Sequence, residues 1–217
     1  MAKKYDVSVT YNPYKRFTRA DINRDQFLRR ETEEQYNLTG EYNCKMLIDT
    51  FERLSNSNWN DQVETVIDFG CGDLRVARFM ASECTRIIGL DVSPFVLEAA
   101  QMKIHEYHLS NCSLKLANEF NEENVADFIY CLQVLQHNTY EEQMQIVDKI
   151  KSLLKPGGYA CIHLPKIENK PEFQNIDTCM CFTKEAVEAI GGGFIWFKII
   201  EDSIVEGRGD YFLWVRK

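Results

Sequence analysis

Residues 66–73 read Val66-Ile-Asp-Phe-Gly-Cys-Gly-Asp73, and this stretch is the most informative in the chain. A short apolar run leads directly into two glycines that are separated by a single residue. Glycine at such a position lets the backbone turn tightly and approach a ligand closely. Because a helix is expected from Arg75, free backbone N–H groups at its start would face the same crevice. The stretch therefore predicts a buried strand that ends at a binding site.

A second predicted strand, Arg86 to Asp91, ends in an acidic residue 19 positions after Gly72. In open α/β sheets, ligands bind at the carboxyl ends of the strands. A carboxylate at this place can accept both hydroxyls of an adenosine ribose. Ser93 and Pro94 then fit the N-cap and the first position of a helix. The alternative interpretation is that the glycines only form a turn and that Asp91 only caps this helix.

Strands and helices alternate along the middle of the chain, which predicts a parallel sheet with helices on both faces. Thr139 and Glu142 have the spacing of a capping box, and residues 155–158 (Lys-Pro-Gly-Gly) are expected to form a turn. The predicted strands are residues 63–69, 86–91, 114–116, 126–131 and 159–164, and the predicted helices are residues 75–82, 94–107 and 139–154.

The pattern changes near the end of the chain. After a predicted helix at 183–190 come two strand-like runs, 194–205 and 210–215, joined by Glu206-Gly-Arg-Gly209. Such runs pair as an antiparallel hairpin, here at the edge of the sheet. The predicted fold is therefore α/β and Rossmann-like, a doubly wound, mostly parallel, seven-stranded sheet with a C-terminal antiparallel hairpin.

Composition narrows the possible functions. The 217 residues are 45% hydrophobic, which is typical of a globular chain, and the formal net charge is −8. Proteins that bind nucleic acid usually present a basic field, so no nucleic-acid partner is expected. Neither a membrane span nor a secretory signal is recognisable, so a cytoplasmic location is expected, with the eight cysteines as reduced thiols. No metal site is expected, because Cys179 and Cys181 lack a second pair at zinc spacing.

Four segments together resemble the class I S-adenosylmethionine (SAM)-dependent methyltransferases. Residues 68–72 resemble the first motif of that family and residues 89–94 its second-strand motif. Residues 127–137 resemble its fourth strand, and 153–158 the turn before its fifth. The resemblance covers residues 62–217 and includes the terminal hairpin. Leu74 departs from it, because the family often has a third glycine there; a dehydrogenase would instead need a glycine at Arg75.

The resemblance implies a set of cofactor contacts, with SAM as the cofactor. Asp68, Gly70 and Gly72 would surround the methionine part of SAM, and Asp91 would hold the ribose hydroxyls. The remaining contacts implied are Val92 beside the adenine, Asn118 or Glu119 at the adenine amino group, and Leu132 or its backbone facing the amino group of the cofactor.

Two histidines near strand ends are candidates for a catalytic base. Methyl transfer to a hydroxyl needs a group that removes the hydroxyl proton, and histidine suits this task near neutral pH. His137 follows the fourth predicted strand, and His163 lies near the end of the fifth. Some small-molecule O-methyltransferases that this chain resembles use a histidine after the fourth strand. The alternatives are that His137 only bonds the backbone at a helix start and that His163 only packs at a strand end.

The sequence divides into residues 1–60, expected to form an N-terminal helical cap with a helix over 39–55, and a SAM-binding domain, residues 61–217. The cap supplies several side chains that either contact an acceptor or only dock the cap onto the domain. These are Tyr11, Tyr14, Arg16, Arg19 and Tyr36.

The expected function is methyl transfer from SAM to a small polar acceptor, through a hydroxyl of a sugar or related metabolite. N-methylation of a small amine is the nearest alternative. A non-catalytic SAM-binding subunit of a larger assembly and a nucleotide-binding oxidoreductase are two others. A homo-oligomer is left open.

Overall fold

The computed structural model describes residues 33–166, 181–202 and 210–217. Its strands along the chain are β1 (Thr65–Phe69), β2 (Arg86–Asp91), β3 (Cys112–Leu116), β4 (Ala126–Cys131), β5 (Leu154–Pro165), β6 (Trp196–Asp202) and β7 (Asp210–Arg216). Its helices are α1 (Glu33–Ser55), α2 (Trp59–Gln62), α3 (Ala77–Met80), α4 (Pro94–Glu106), α5 (Tyr140–Leu153) and α6 (Lys184–Gly191). Short 3₁₀ helices occupy Ala81–Glu83 and Leu135–His137.

The seven strands form one sheet in the order β3-β2-β1-β4-β5-β7-β6. The first five strands pair in parallel, whereas β7 pairs antiparallel with both β5 and β6. The predicted Rossmann-like sheet with a terminal antiparallel hairpin is therefore confirmed; the segment predicted to join the hairpin lies outside the described residues. The strand order reverses between β1 and β4, and ligands of open α/β sheets bind at such a point.

Two predicted helix starts have the capping bonds that their sequences indicate. The Ser93 hydroxyl accepts a hydrogen bond from the Val96 N–H, with Pro94 as the first helical residue of α4. At α5, the Thr139 hydroxyl accepts from the Glu142 N–H at 3.0 Å, and the Glu142 carboxylate accepts from the Thr139 N–H at 2.9 Å. These reciprocal bonds satisfy backbone donors that a helix start leaves unpaired.

The helix predicted from Arg75 is shorter than expected. Leu74 is buried with a φ of 69°, so the chain turns once more before α3 begins at Ala77. A left-handed backbone costs a residue with a Cβ roughly 1–2 kcal/mol, and glycine avoids this cost. The structure thus explains the departure at Leu74: a leucine occupies a conformation suited to glycine, and its buried side chain offsets the strain.

The predicted turn at residues 155–158 lies inside a strand. Leu154 pairs with Ala126 and Tyr159 with Phe128, so the residues between them bulge out of the β4–β5 ladder. The end of the chain holds this bulge, because Gly157 donates to the Lys217 carbonyl at 2.9 Å and Lys217 donates to the Gly158 carbonyl at 3.0 Å. Because Gly157 and Gly158 pair with Lys217, some 60 positions away, this segment is part of β5 rather than a separate turn.

Helix α1 packs its buried residues directly onto the sheet. Leu47 and Phe51 belong to the same core cluster as Val66 of β1 and Phe128 of β4. The Phe51 ring lies edge-on to Trp59, with ring centroids 5.2 Å apart, and to Phe128, at 5.9 Å. A second cluster, on α5 and α6, covers the opposite face of the sheet. The domain boundary at residue 60 stays a prediction. Among the described helices, none is long and apolar enough to cross a membrane.

Candidate functional site

A crevice of about 450 Å³ opens at the carboxyl ends of β1, β2 and β4. Residues after each of these strands line it, together with Tyr36 of α1 and one face of α5. Most of the predicted site residues meet in this crevice. The ones that line it are Asp68, Gly70, Gly72, Asp91, Val92, Asn118, Leu132 and His137.

The glycine turn after β1 leaves its backbone open to the crevice. Gly70 and Gly72 have φ values of 80° and 53°, in the left-handed region that favours glycine. The N–H groups of Gly70 and Cys71 donate to the Leu90 carbonyl of the neighbouring strand, at 2.7 and 2.9 Å. A side chain added at Gly72 would meet nothing within 4 Å, so this residue borders open space that a ligand can fill.

Asp91 is oriented by backbone donors on both sides. Its Oδ2 accepts from the Gly72 N–H at 3.3 Å and its Oδ1 from the Ser93 N–H at 2.9 Å. Burial raises the pKa of this carboxyl, and the N–H groups of Ser93, Gly72 and Val92 oppose the rise. Each oxygen keeps a further lone pair for a hydroxyl donor, since a carboxylate has about four acceptor positions. Asp91 can therefore accept two hydroxyl donors from a ligand in the crevice.

Asp68 is a buried carboxyl beneath the glycine turn. Burial raises its pKa to about 7, and the Asp91 charge adds to the rise, while the Tyr130 hydroxyl and the Arg75 guanidinium oppose it. The Tyr130 hydroxyl is itself fully buried and has no well-aligned hydrogen bond among the described residues. Asp68 is thus poised to ionise near neutral pH and to hold a cationic group.

Tyr36 joins α1 to the crevice. Its hydroxyl donates to the Asp73 carboxylate, just after the glycine turn. Beside it, the Arg78 guanidinium lies 4.5 Å from the centroid of the Phe79 ring and donates to the Asn37 side chain. Of the side chains predicted as possible acceptor contacts, Tyr36 lines the crevice, and the other four lie outside the described residues. The sequence contains no local signal for the bond between Tyr36 and Asp73.

The segment after β4 forms one wall of the crevice, and we call residues 132–138 the β4 wall. Leu132, Gln133, Val134, His137 and Asn138 of this wall line the crevice. His137 ends a 3₁₀ turn that places its imidazole near the amide of Gln136, 3.2 Å away. Gln133 has a φ of 60°, which is unusual for a residue with a side chain.

The other predicted base, His163, lies outside the residues that line the crevice and is 2% exposed. Its Nδ1 accepts a hydrogen bond from the Gln133 N–H at 3.3 Å, and its Nε2 lies 3.2 Å from a carboxylate oxygen of Asp210. The structure therefore places His163 behind the β4 wall. Glu119 likewise lies outside the lining, while its neighbour Asn118 lines the crevice, although both residues are exposed.

One face of α5 lines the crevice and was missed by the sequence analysis. Glu142, Gln145, Ile146 and Lys149 recur at the spacing that places residues on one side of a helix. This spacing was a usable signal. The signal is weak in the sequence because the apolar face of α5 dominates the helical pattern, and the crevice forms only when α5 packs beside the β4 wall.

The sheet order, the glycine turn and the acid that ends β2 define the class: a Rossmann-like fold of the methyltransferase type. Residues 67–160 match the sequence model of a methyltransferase domain. This match agrees with the resemblance to the class I SAM-dependent methyltransferases that residues 68–72 and 89–94 predict.

Among curated proteins, the chain is similar to a trans-aconitate 2-methyltransferase from Methylobacterium radiotolerans. It is 29% identical to that protein over 147 residues, which are 65% of this chain and 49% of the relative. A ubiquinone biosynthesis O-methyltransferase from Vibrio cholerae is 28% identical over 97 residues, 43% of this chain and 39% of the relative. The chain thus matches about half or less of the length of these relatives.

A similar solved structure is that of magnesium protoporphyrin IX methyltransferase from Synechocystis PCC 6803 with bound SAM. The TM-score is 0.66 at 16% identity, and the match covers 95% of each chain. At this level of identity the likeness concerns the fold, which agrees with the sheet order described above.

Proposed function

We propose that the chain binds SAM and transfers its methyl group to a small polar acceptor, through a hydroxyl of a sugar or related metabolite. The observation that carries this proposal is the geometry around Asp91. Its two oxygens are held by the Gly72 and Ser93 N–H groups at one wall of a 450 Å³ crevice, and His137 lines the same crevice. A fixed carboxylate beside an open glycine backbone suits an adenosine ribose, and an imidazole suits removal of a hydroxyl proton.

The charges of the crevice fit a cationic cofactor. Bound there, SAM would supply an activated methyl group on a positively charged sulfur. Asp68 and Asp91 provide negative charge beside the open backbone of Gly72. In this arrangement Asp68 and the glycine turn hold the methionine part, Asp91 holds the ribose, and Asn118 and Val92 contact the adenine. Leu132, at the start of the β4 wall, faces the amino group of the cofactor.

His137 is assigned as the base because it is the predicted base that lines the crevice. Its imidazole would accept the proton of the acceptor hydroxyl as the oxygen attacks the methyl carbon. General-base catalysis of this kind typically contributes about 10²- to 10⁴-fold. The crevice walls would otherwise act by alignment, since a methyl transfer needs the donor and the acceptor in line.

Calorimetric titration tests the cofactor assignment first. Wild-type protein and Asp91→Ala are titrated with SAM, with its demethylated product and with NAD. Selective binding of the SAM compounds that is weakened by about 10- to 100-fold in Asp91→Ala supports the proposal. If folded wild-type protein binds neither SAM compound, the proposal is wrong. A screen of sugar, amine and carboxylate acceptors with labelled SAM then tests transfer.

A carboxylate acceptor is the second candidate, and Lys149 favours it. This half-buried lysine lines the crevice, and its side chain has no hydrogen bond or ion pair among the residues that the structure describes. Its ammonium group would attract an anionic acceptor, and a relative is named for trans-aconitate. The two candidates differ in their need for a base, because a carboxylate is already ionised at neutral pH. His137→Asn would slow methylation of a hydroxyl but not of a carboxylate. Lys149→Gln would weaken the binding of a carboxylate acceptor but not of a neutral one.

A further inference from the structure

We propose that His163 is a positioning residue that fixes the β4 wall from behind and thereby sets the place of His137 in the crevice. The proposal rests on the proposed function, because it assigns a task to the wall that carries the base. It differs from the expectation that His163 itself removes a proton: a residue buried behind the wall acts through the backbone of Gln133.

Hydrogen bonding fixes which nitrogen of His163 carries the proton. The Gln133 N–H donates to Nδ1, so Nδ1 must present a lone pair, and the ring proton then belongs to Nε2. Nε2 lies 3.2 Å from Asp210 Oδ2, a polar contact that falls short of hydrogen-bond alignment. Asp210 thus favours the one tautomer that can accept from Gln133. Both side chains are buried, at 2% and 7% exposure, so water does not compete for these contacts.

Gln133 is a residue that needs such support. Its φ of 60° is sparsely populated for side-chain-bearing residues, and such conformations persist only when their surroundings hold them. Its side chain reaches the crevice, where the Arg75 guanidinium donates to its Oε1 at 3.4 Å. Gln133 therefore links the two, because its backbone bonds the buried His163 and its side chain lines the crevice.

Two further buried amides hold the rest of the β4 wall. The Asn138 side chain donates to the Val134 carbonyl at 2.8 Å. The Gln143 side chain donates to the carbonyls of Leu135 and Asn138, at 2.9 and 3.1 Å. Three buried polar side chains, counting His163, thus bond to the backbone of a segment seven residues long. Burying polar groups is unfavourable unless they are paired, so this arrangement serves the geometry of the wall rather than the packing of the core.

Three variants and a control test the proposal. His163→Leu fills a similar volume but offers no acceptor to the Gln133 N–H. His163→Asn keeps an acceptor oxygen near the place of Nδ1. His137→Asn removes the proposed base. The exposed His105→Asn is the matched control. For each protein we would measure thermal unfolding, SAM affinity and hydrogen exchange at the Gln133 amide. We would also measure kcat and KM across pH, with the acceptor that is methylated fastest in the screen with labelled SAM.

We expect His163→Leu to lower kcat by about 10- to 100-fold through misalignment. Its SAM affinity should stay within about 3-fold of wild type, a difference below about 0.7 kcal/mol. Exchange at the Gln133 amide should accelerate. His163→Asn should restore kcat to within about 3-fold of wild type. At saturating SAM, where Asp68 no longer limits cofactor binding, it should also keep the acidic limb of the kcat profile, which His137→Asn should remove.

The proposal is overturned if folded His163→Leu keeps wild-type kcat, or if His163→Asn is as impaired as His163→Leu. Loss of the acidic limb in His163→Asn would overturn it too, because His163 would then be the base. If His163→Leu fails to fold, His163→Asn and Asp210→Asn decide the matter by the same measurements. Failure of the wild type to bind SAM refutes the proposed function instead, and exchange at the Gln133 amide still reports whether His163 holds the wall.

Discussion

The Gly72 N–H donates to Asp91 Oδ2 at 3.3 Å and so joins the turn after β1 to the end of β2. The two residues lie 19 positions apart, and the parallel pairing of β1 with β2 brings them together. The glycine turn and the acid are thus one unit. Its geometry depends on a hydrogen bond within the site, and the same carboxylate is proposed to face the ribose.

Removal of the Asp91 carboxylate should weaken SAM binding by about 10- to 100-fold. Charge-assisted hydrogen bonds are worth roughly 1.5–3 kcal/mol, and each 1.4 kcal/mol is a factor of ten in affinity. Calorimetry on Asp91→Ala measures this loss, with the exposed Glu98→Gln as a control that should bind as wild type does. Equal SAM affinity of Asp91→Ala and wild type would refute the assigned role.

The stability of the domain should fall as pH rises because of Asp68. The pKa of its carboxyl is about 7 in the fold against an ordinary value of 3.8, so the folded state binds the proton more tightly than the unfolded state. The stabilisation is complete below the unfolded value and is lost as pH rises through about 7. Asp68→Asn should therefore match wild type near pH 4 and exceed its unfolding free energy by roughly 2–4 kcal/mol at pH 8. Denaturant unfolding at the two pH values measures the difference; equal differences at both would contradict the assignment.

The affinity for SAM should rise with pH between about 5.5 and 7.5, because only the ionised Asp68 would attract the ammonium group of the cofactor that it is proposed to hold. Tyr130→Phe should move this rise to higher pH, since the tyrosine hydroxyl lowers the Asp68 pKa. Titrations over this pH range with the two proteins measure the displacement. A displacement to lower pH, or affinities independent of pH, would show that Asp68 is not the titrating group.

Truncation of Phe51 should lower the free energy of unfolding far more than truncation of an exposed residue of the same helix. Phe51 is buried among three aromatic rings, and phenylalanine-to-alanine changes in cores cost about 3–5 kcal/mol. Leu38→Ala, at a position that is 59% exposed, should stay within about 0.5 kcal/mol of wild type. Denaturant unfolding compares the two variants. A Phe51→Ala cost as small as that of Leu38→Ala would mean that α1 is a loosely attached cap.

Much of the crevice edge was predictable because its signals are local. The strand before Gly70, the acid at Asp91 and the capping box at Thr139 each occupy a few neighbouring residues. Their chemistry follows from backbone geometry, which the residue types themselves dictate. The hairpin was predictable too, since an apolar strand pattern repeats on either side of a glycine-containing connection.

The remaining features depend on residues that are distant in the sequence. His163 reads as a strand-end histidine, and only the antiparallel pairing of β5 with β7 brings it to Asp210. The same holds for Tyr36, whose partner Asp73 lies 37 positions away. Such contacts cannot be inferred from a local pattern of residue types, so the function of a buried polar residue can be recognised only from the folded structure.

The inner position of β7 has a consequence for synthesis of the chain. Residues 210–216 come after every other described strand, yet they lie between β5 and β6. While the ribosome has made only the residues before them, β5 presents a free edge of unpaired backbone groups among apolar side chains. Such an edge is a template for pairing with other chains, so we expect the nascent protein to be prone to aggregate at this stage. Pairing of β7 with β5 closes that edge and, in the same step, brings the Asp210 carboxylate to His163.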